Sequence, residues 1–369
     1  MMKIIFYHPD KIVLGKSGSS VRPYNMLLAF RELGVEVEVI DGNDADRTTK
    51  GKKVMAKIKA GANYDFIYIE NTTLPLGLTI KKIPFLNISY YGFLSFDKKF
   101  IQFCLNQNIS CKYYFRDIHW GFPETFENNH SLLKNSYLLA FQKYFGKKEL
   151  KFLKKNIQVY VPSSLFQDHL KKYYNLNSLP LSPGSTIEET NKTPKKGELT
   201  IIYVGAVSSL YFSDFLIEQL GKLPDSVKLI LCCRQKEYSA NSKRLSVIRN
   251  KEVYHLSGND LNQLYSKANV ALYPLKPTGY GKLAYSIKIP EYICKGKPII
   301  AFKKTVCSEI IEKDTIGWAI NMEEVEIKGL VNRLLKHPEE IILMTQNVID
   351  VQAKYTWEAV AKKVIEKND

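Results

Sequence analysis

No run of this chain is long and apolar enough to span a bilayer, which takes roughly 18 residues. The N-terminal apolar stretch Ile4-Ile5-Phe6-Tyr7 soon meets Pro9. It is too short for the hydrophobic region of a secretory signal, and no small-residue cleavage site follows. The expected location is the cytoplasm. Cysteine is sparse and unpatterned. Cys104, Cys111, Cys232, Cys233, Cys294 and Cys307 show no C-x-x-C spacing, which reads as core thiols rather than bridges or metal ligands. The G-x-x-x-x-G-K-[ST] order of a P-loop is absent. No repeat recurs at a period of roughly 20–50 residues. No recognised RNA- or DNA-binding module is present, and the basic residues are spread along the chain, so nucleic acid is not an expected partner.

Acidic residues are in short supply. Lys and Arg number 53 against 37 Asp and Glu, a net charge of +16. Such a balance favours an anionic partner such as a phosphorylated substrate or an anionic membrane surface. At 369 residues the chain is too long for one ordinary core, so two domains are expected.

Both halves alternate short apolar strands with amphipathic helices, the pattern of a parallel sheet wrapped by helices. In the first half the spacing predicts strands over 3–7, 35–40, 65–70, 85–89, 111–116 and 159–161. It predicts helices over 23–33, 53–60 and 164–174. Residues 179–198 hold Pro180, Pro183, Gly184, Pro194 and Gly197, the composition of a linker. A second series follows, with strands over 199–204, 227–233, 253–256, 270–273, 298–301 and 319–321. Its helices are expected over 213–220, 261–268, 324–335 and 339–354. The expected organisation is a Rossmann-like domain over 1–178, a second over 199–350, and a terminal helix in 351–369 returning to the first. Ligands of such folds sit at the carboxyl ends of the strands.

The most ordered run is Ser286-Ile287-Lys288-Ile289-Pro290-Glu291-Tyr292, continuing through Gly296 to Pro298-Ile299-Ile300-Ala301. Lys288 and Glu291 lie three apart and share a helix face. Gly296 ends that helix and a buried strand begins at once. A cation and a carboxylate at one helix start suit a ligand with phosphate and sugar hydroxyls. Gly205, after the first strand of the second half, allows close backbone approach to a phosphate. In the first half, Gly18, Ser19 and Arg22 lie where a Gly- and Ser-rich loop opens a helix, which suits an anion. Asp117 and His119 follow a strand and form a plausible base or orienting pair.

The run 286–301 resembles the Lys-x-x-Glu-Tyr…Gly-Lys-Pro-Val-Ile signature of GT-B glycosyltransferases, near the large retaining family 4 (group 1). The resemblance covers most of the chain in order and spacing, and its specific part is residues 250–312. It implies two Rossmann-like domains facing across a cleft. The implied activity moves a sugar from a nucleotide-diphosphate donor, foremost a UDP-sugar, to a glycan or polyprenol-linked acceptor in bacterial surface polysaccharide or glycolipid synthesis. It implies no cofactor and no metal ion. A GT-B sugar-nucleotide epimerase or a non-catalytic sugar-nucleotide-binding protein is the alternative.

The resemblance also implies roles. Glu291 holds the ribose hydroxyls and Lys288 takes the diphosphate. Gly205 and Ser208 form the turn beside the phosphates, and Tyr280 and Ser286 line the approach. The loop holding Gly18, Ser19 and Arg22 lies between acceptor and donor phosphates. Asp117 deprotonates the acceptor in an inverting reaction, or His119 contacts the donor sugar in a retaining one. Two departures stand out. Family 4 places an Arg and a Lys shortly after the glycine equivalent to Gly205, and this chain has neither. Arg234 either supplies that charge or is a surface cation. Leu283 stands eight residues before Glu291, where the family has a first Glu. Finally, residues 134–155 set Lys134, Lys143, Lys147, Lys148, Lys151, Lys154 and Lys155 among aromatic and aliphatic residues, with Glu149 the one acid. That pattern fits a helix lying on anionic lipid at the inner membrane face, or a core-facing helix with a solvated lysine side.

Overall fold

The computed structural model describes residues 1–13, 18–83, 88–93, 95–123, 132–188, 190 and 192–366. It divides into two compact units, Met1–Ser182 with Val360–Asp369, and Pro183–Ala359.

The first unit is built on strands β1 (Lys3–Tyr7), β2 (Glu36–Ile40), β3 (Phe66–Glu70), β6 (Ser110–Tyr114), β7 (Gln158–Val161) and β8 (Leu179–Pro180). They pair in the order β2-β1-β3-β6-β7-β8, all parallel. The strand order reverses between β1 and β3, a switch point of the kind where ligands bind in open α/β sheets. Every residue of β3 is buried, as expected where helices cover both sheet faces. Phe30 of helix Gly18–Glu32 meets Phe6 of β1 and Tyr68 of β3 edge-to-face. A separate antiparallel hairpin joins β4 (Leu78–Ile83) to β5 (Ile88–Phe93).

The second unit contains β9 (Leu199–Val204), β10 (Val227–Cys232), β11 (Lys251–Tyr254), β12 (Val270–Tyr273), β13 (Ile299–Phe302) and β14 (Gly317–Ile320). Their order is β11-β10-β9-β12-β13-β14, all parallel, which is the 3-2-1-4-5-6 Rossmann arrangement with its switch point between β9 and β12. Alternate residues of β9 enter two separate cores. Ile201 and Tyr203 face one, Ile202 and Val204 the other. The two sheets give the doubly wound α/β class expected from the sequence.

Several element boundaries differ from expectation. The first helix starts at Gly18 and carries Pro23 inside it rather than at its first position. Helix Asp44–Lys59 begins well before residue 53 because Asn43 caps it, accepting from the N–H groups of Ala45 and Asp46. The strand expected over 85–89 is one arm of the β4–β5 hairpin, with residues 84–87 outside the described set. The expected helix 261–268 shrinks to a 3-10 turn Gly258–Leu261 and one helical turn, Asn262–Tyr265. Helices Phe96–Asn106, Gln235–Leu245 and Val306–Asp314 were not legible as helices. All six cysteines are buried thiols.

Candidate functional site

At the switch point of the second unit, β9 is followed by Gly205, whose N–H donates to the Cys232 carbonyl at the end of β10 (3.0 Å). Helix Lys288–Cys294 is tied to this edge by Tyr292, fully buried, whose hydroxyl accepts from the Val204 N–H at 3.0 Å. Gly296, at φ +69°, turns the chain from that helix into β13, a conformation that favours glycine. The sequence signature is thus a short helix pinned over the strand ends.

Lys288 and Glu291 share one face of this helix and pair at 2.7 Å, Nζ to Oε2. Both are partly accessible, at 23% and 17%. The other carboxylate oxygen of Glu291 accepts from the Tyr265 hydroxyl at 2.7 Å. Burial, and then the neighbouring Glu291 charge, push the Tyr265 phenol well above its ordinary pKa, so it stays a donor. Burial pushes up the pKa of the Cys232 thiol at the end of β10, and the Lys288 and Glu291 charges act on it in opposite directions. Ser286 Oγ accepts from the Lys288 N–H at 3.2 Å, fixing the entry into the helix.

The other expected donor residues are more dispersed. Ser208 is exposed, and its carbonyl accepts from Tyr211 and Phe212, closing the turn after Gly205. Tyr203 steadies the same turn by donating to the Ala206 carbonyl at 2.5 Å. Tyr280 lies in the 3-10 turn Gly279–Lys282. Arg234 is 68% exposed and pairs with Glu237 at 3.4 Å, the surroundings of a surface cation.

In the first unit, Asp117 and His119 follow β6 and meet at 2.7 Å, Oδ2 to Nε2. Asp117 Oδ1 also accepts the Ile118 N–H at 2.7 Å. Directly after His119 the chain tucks Trp120 into the interior, fully buried. Gly18 and Ser19 are the first two residues of their helix, and the loop residues 14–17 lie outside the described set. Arg22, expected to face an anion, is instead 2% exposed and paired with Glu70 at 2.6 Å. It also donates to the Ser182 carbonyl at 3.1 Å and stacks 3.6 Å from the Tyr114 ring. Its charge is neutralised within the unit, because a buried guanidinium needs an opposite charge.

Sequence reasoning missed this buried cluster. Tyr68 donates to the second oxygen of Glu70 at 2.6 Å, and His8 meets the Glu70 carbonyl at 2.7 Å. Burial lowers the pKa of His8. The available signal was an acid closing the apolar run Phe66–Ile69. Tyr265 lies within the helix expected over 261–268, and nothing local in the sequence links it to Glu291.

Residues 198–337 match the model of the family described as glycosyl transferases group 1. No curated protein matches the chain by sequence. Solved structures match nearly its whole length. WaaG, a glycosyltransferase involved in lipopolysaccharide biosynthesis, covers 99% of this chain with all of its own at a TM-score of 0.63 and 14% identity. Anabaena Alr3699/HepE in complex with UDP covers 99%, with 98% of its own chain, at 0.60 and 14%. TarM covers 99%, with 98% of its own, at 0.58 and 12%. Residues 198–337 are thus similar to the group 1 glycosyltransferases, and the chain has the GT-B fold.

Proposed function

We propose that this protein transfers a hexose from a nucleoside diphosphate donor, foremost a UDP-sugar, to a glycan or polyprenol-linked saccharide of a bacterial surface polysaccharide or glycolipid. The observation that supports it is the Lys288–Glu291 pair at the Rossmann switch point, inside the segment that matches the family. In this reading Glu291 accepts hydrogen bonds from the ribose hydroxyls. Lys288 and the backbone around Gly205 face the diphosphate. The bond from the anomeric carbon to the β-phosphate oxygen breaks as one to the acceptor oxygen forms. Charge grows on the departing diphosphate, and Lys288 stabilises it where a metal ion would otherwise act.

The acceptor proton needs a base. Asp117, held against His119 at 2.7 Å, takes it in an inverting reaction. In a retaining one, His119 contacts the donor sugar instead, and the anomeric configuration of the product decides between them.

No helix among the described residues is long and apolar enough to cross a membrane. Peripheral attachment to the inner face is part of the proposal. Helix Leu132–Leu153 buries Gln142, Glu149, Leu150 and Leu153 and exposes Lys143, Lys147, Lys148 and Lys151. Tyr144 is 55% exposed on this helix, and the Lys148 ammonium lies 4.4 Å from its ring centre. Lysines beside an exposed tyrosine suit the headgroup region of an anionic bilayer.

Thermal unfolding with UDP-, GDP- and dTDP-sugars tests the donor reading. A ligand at 100 times its Kd adds about 2.7 kcal/mol. Stabilisation by one donor, lost in Lys288→Ala and Glu291→Ala, is expected. No stabilisation by any of them refutes the reading.

A further inference from the structure

The two oxygens of Glu291 have partners of different kinds. Oε1 is held by Tyr265, a rigid phenol with 0% exposure on a separate turn 26 residues upstream. Its ring lies edge-on to Tyr292, 6.1 Å between centres, and Tyr292 is itself fixed to the end of β9. Oε2 is held by Lys288, whose ammonium sits on a flexible four-carbon stem and is partly exposed. An ammonium is a point charge that exchanges one oxygen partner for another without a fixed geometry. One anchor is immobile and the other can leave.

We propose that Tyr265 is a positioning residue that keeps the Glu291 carboxylate aimed at the ribose diol of the donor while Lys288 leaves Glu291 for the diphosphate. The inference rests on the donor-site reading above. A diphosphate competes with a single carboxylate for Lys288 and offers it more negative charge. When Lys288 turns away, lone pairs of Oε2 become available to the ribose hydroxyls. A glutamate held only by that lysine would then regain its rotamer freedom as the ligand needs it ordered. Tyr265 removes that freedom beforehand, which is preorganisation.

Calorimetric titration of the full chain with UDP and GDP, each against its 2′,3′-dideoxy form, and with pyrophosphate, tests this. The wild type is expected to prefer the diol form by about tenfold, the size of a lost charge-assisted hydrogen bond. Tyr265→Phe is expected to bring that preference down to the level of Glu291→Gln while leaving pyrophosphate affinity within about twofold. Lys288→Met is expected to do the reverse, weakening pyrophosphate while keeping the diol preference. A purely structural role for the phenol would lower the melting temperature and weaken all ligands alike, which overturns the proposal. So does a Tyr265→Phe variant that keeps the wild-type preference, or a Lys288→Met variant that loses it. If neither nucleotide binds the wild type, or Glu291→Gln keeps its preference, the donor-site reading itself fails.

Discussion

Glu70 closes a strand of buried apolar residues, and its carboxylate is 0% exposed with Arg22 and Tyr68 on its two oxygens. Removing one partner of such a pair leaves a charge without water or counter-charge, which costs about 3–5 kcal/mol. Arg22→Ala is therefore expected to lower stability by that order in urea unfolding, and a loss under ~1 kcal/mol would mean water replaces the guanidinium. Glu149 is a second buried acid, 1% exposed, accepting from Asn71 at 2.7 Å and from the Tyr113 hydroxyl. Burial raises its pKa to about 7, against the lowering effect of the Tyr113 hydrogen bond. The folded protein therefore holds a proton that the unfolded chain gives up near the ordinary carboxylate value. Its contribution to stability is full below that value, declines as pH rises, and is gone above about 7. Glu149→Gln abolishes the decline, so the variant is expected to gain roughly 2–3 kcal/mol on wild type between pH 5 and 8, followed by urea unfolding at each pH. Glu149 carries no sign in the sequence of being a buried partner, and Glu70 only its place at the end of an apolar run. Lys288 and Glu291 could be paired from the sequence, because their spacing places them on one face; Arg22 could not, because its partner is 48 residues away.

Helix Leu132–Leu153 is fixed to the chain after β6 at Gly146. A Cβ there would overlap the indole of Trp120, the residue between His119 and Gly121. Alanine in a helix interior is ordinarily better than glycine by about 1 kcal/mol. Here the collision dominates, since overfilling a tight contact costs about 1–3 kcal/mol. Gly146→Ala is thus expected to lower the melting temperature, and to perturb the Asp117–His119 turn enough to reduce turnover. A variant with raised stability would show that Trp120 moves aside freely. Elements were legible where one period dominated. The mostly apolar strands β3, β9 and β13 stood out, as did helix Ser164–Tyr174 with its Ser163 cap. The hairpin β4–β5 was not, because the strand expected over 85–89 shares only residues 88 and 89 with its second arm, Ile88–Phe93. Helix Gln235–Leu245 was hidden by its polarity, with Leu245 its one buried residue. The helix expected over 261–268 failed in the opposite way. Its apolar residues serve the core, yet only one helical turn forms.

A net charge of +16 acts at the scale of the whole molecule, drawing it toward any anionic surface, and that attraction is screened beyond about 8 Å in physiological salt. General attraction and a specific membrane face make different predictions. If charge alone operates, reversing any three exposed lysines weakens vesicle binding equally. If helix Leu132–Leu153 is the face, reversals there matter most, because each lysine close to anionic lipid contributes about 1 kcal/mol. Lys147, Lys148 and Lys151 are exposed on that helix, whereas Lys236 and Lys243 are exposed on helix Gln235–Leu245 and Lys228 on β10. Changing the first three to Glu is expected to reduce binding to phosphatidylserine vesicles by at least 100-fold at low salt. Changing Lys228, Lys236 and Lys243 to Glu is expected to cost under tenfold. Sedimentation of both variants across a salt series measures this. Equal losses would assign the binding to net charge, and unchanged binding in the first variant would remove the membrane face from the proposed function while leaving the donor site as it stands.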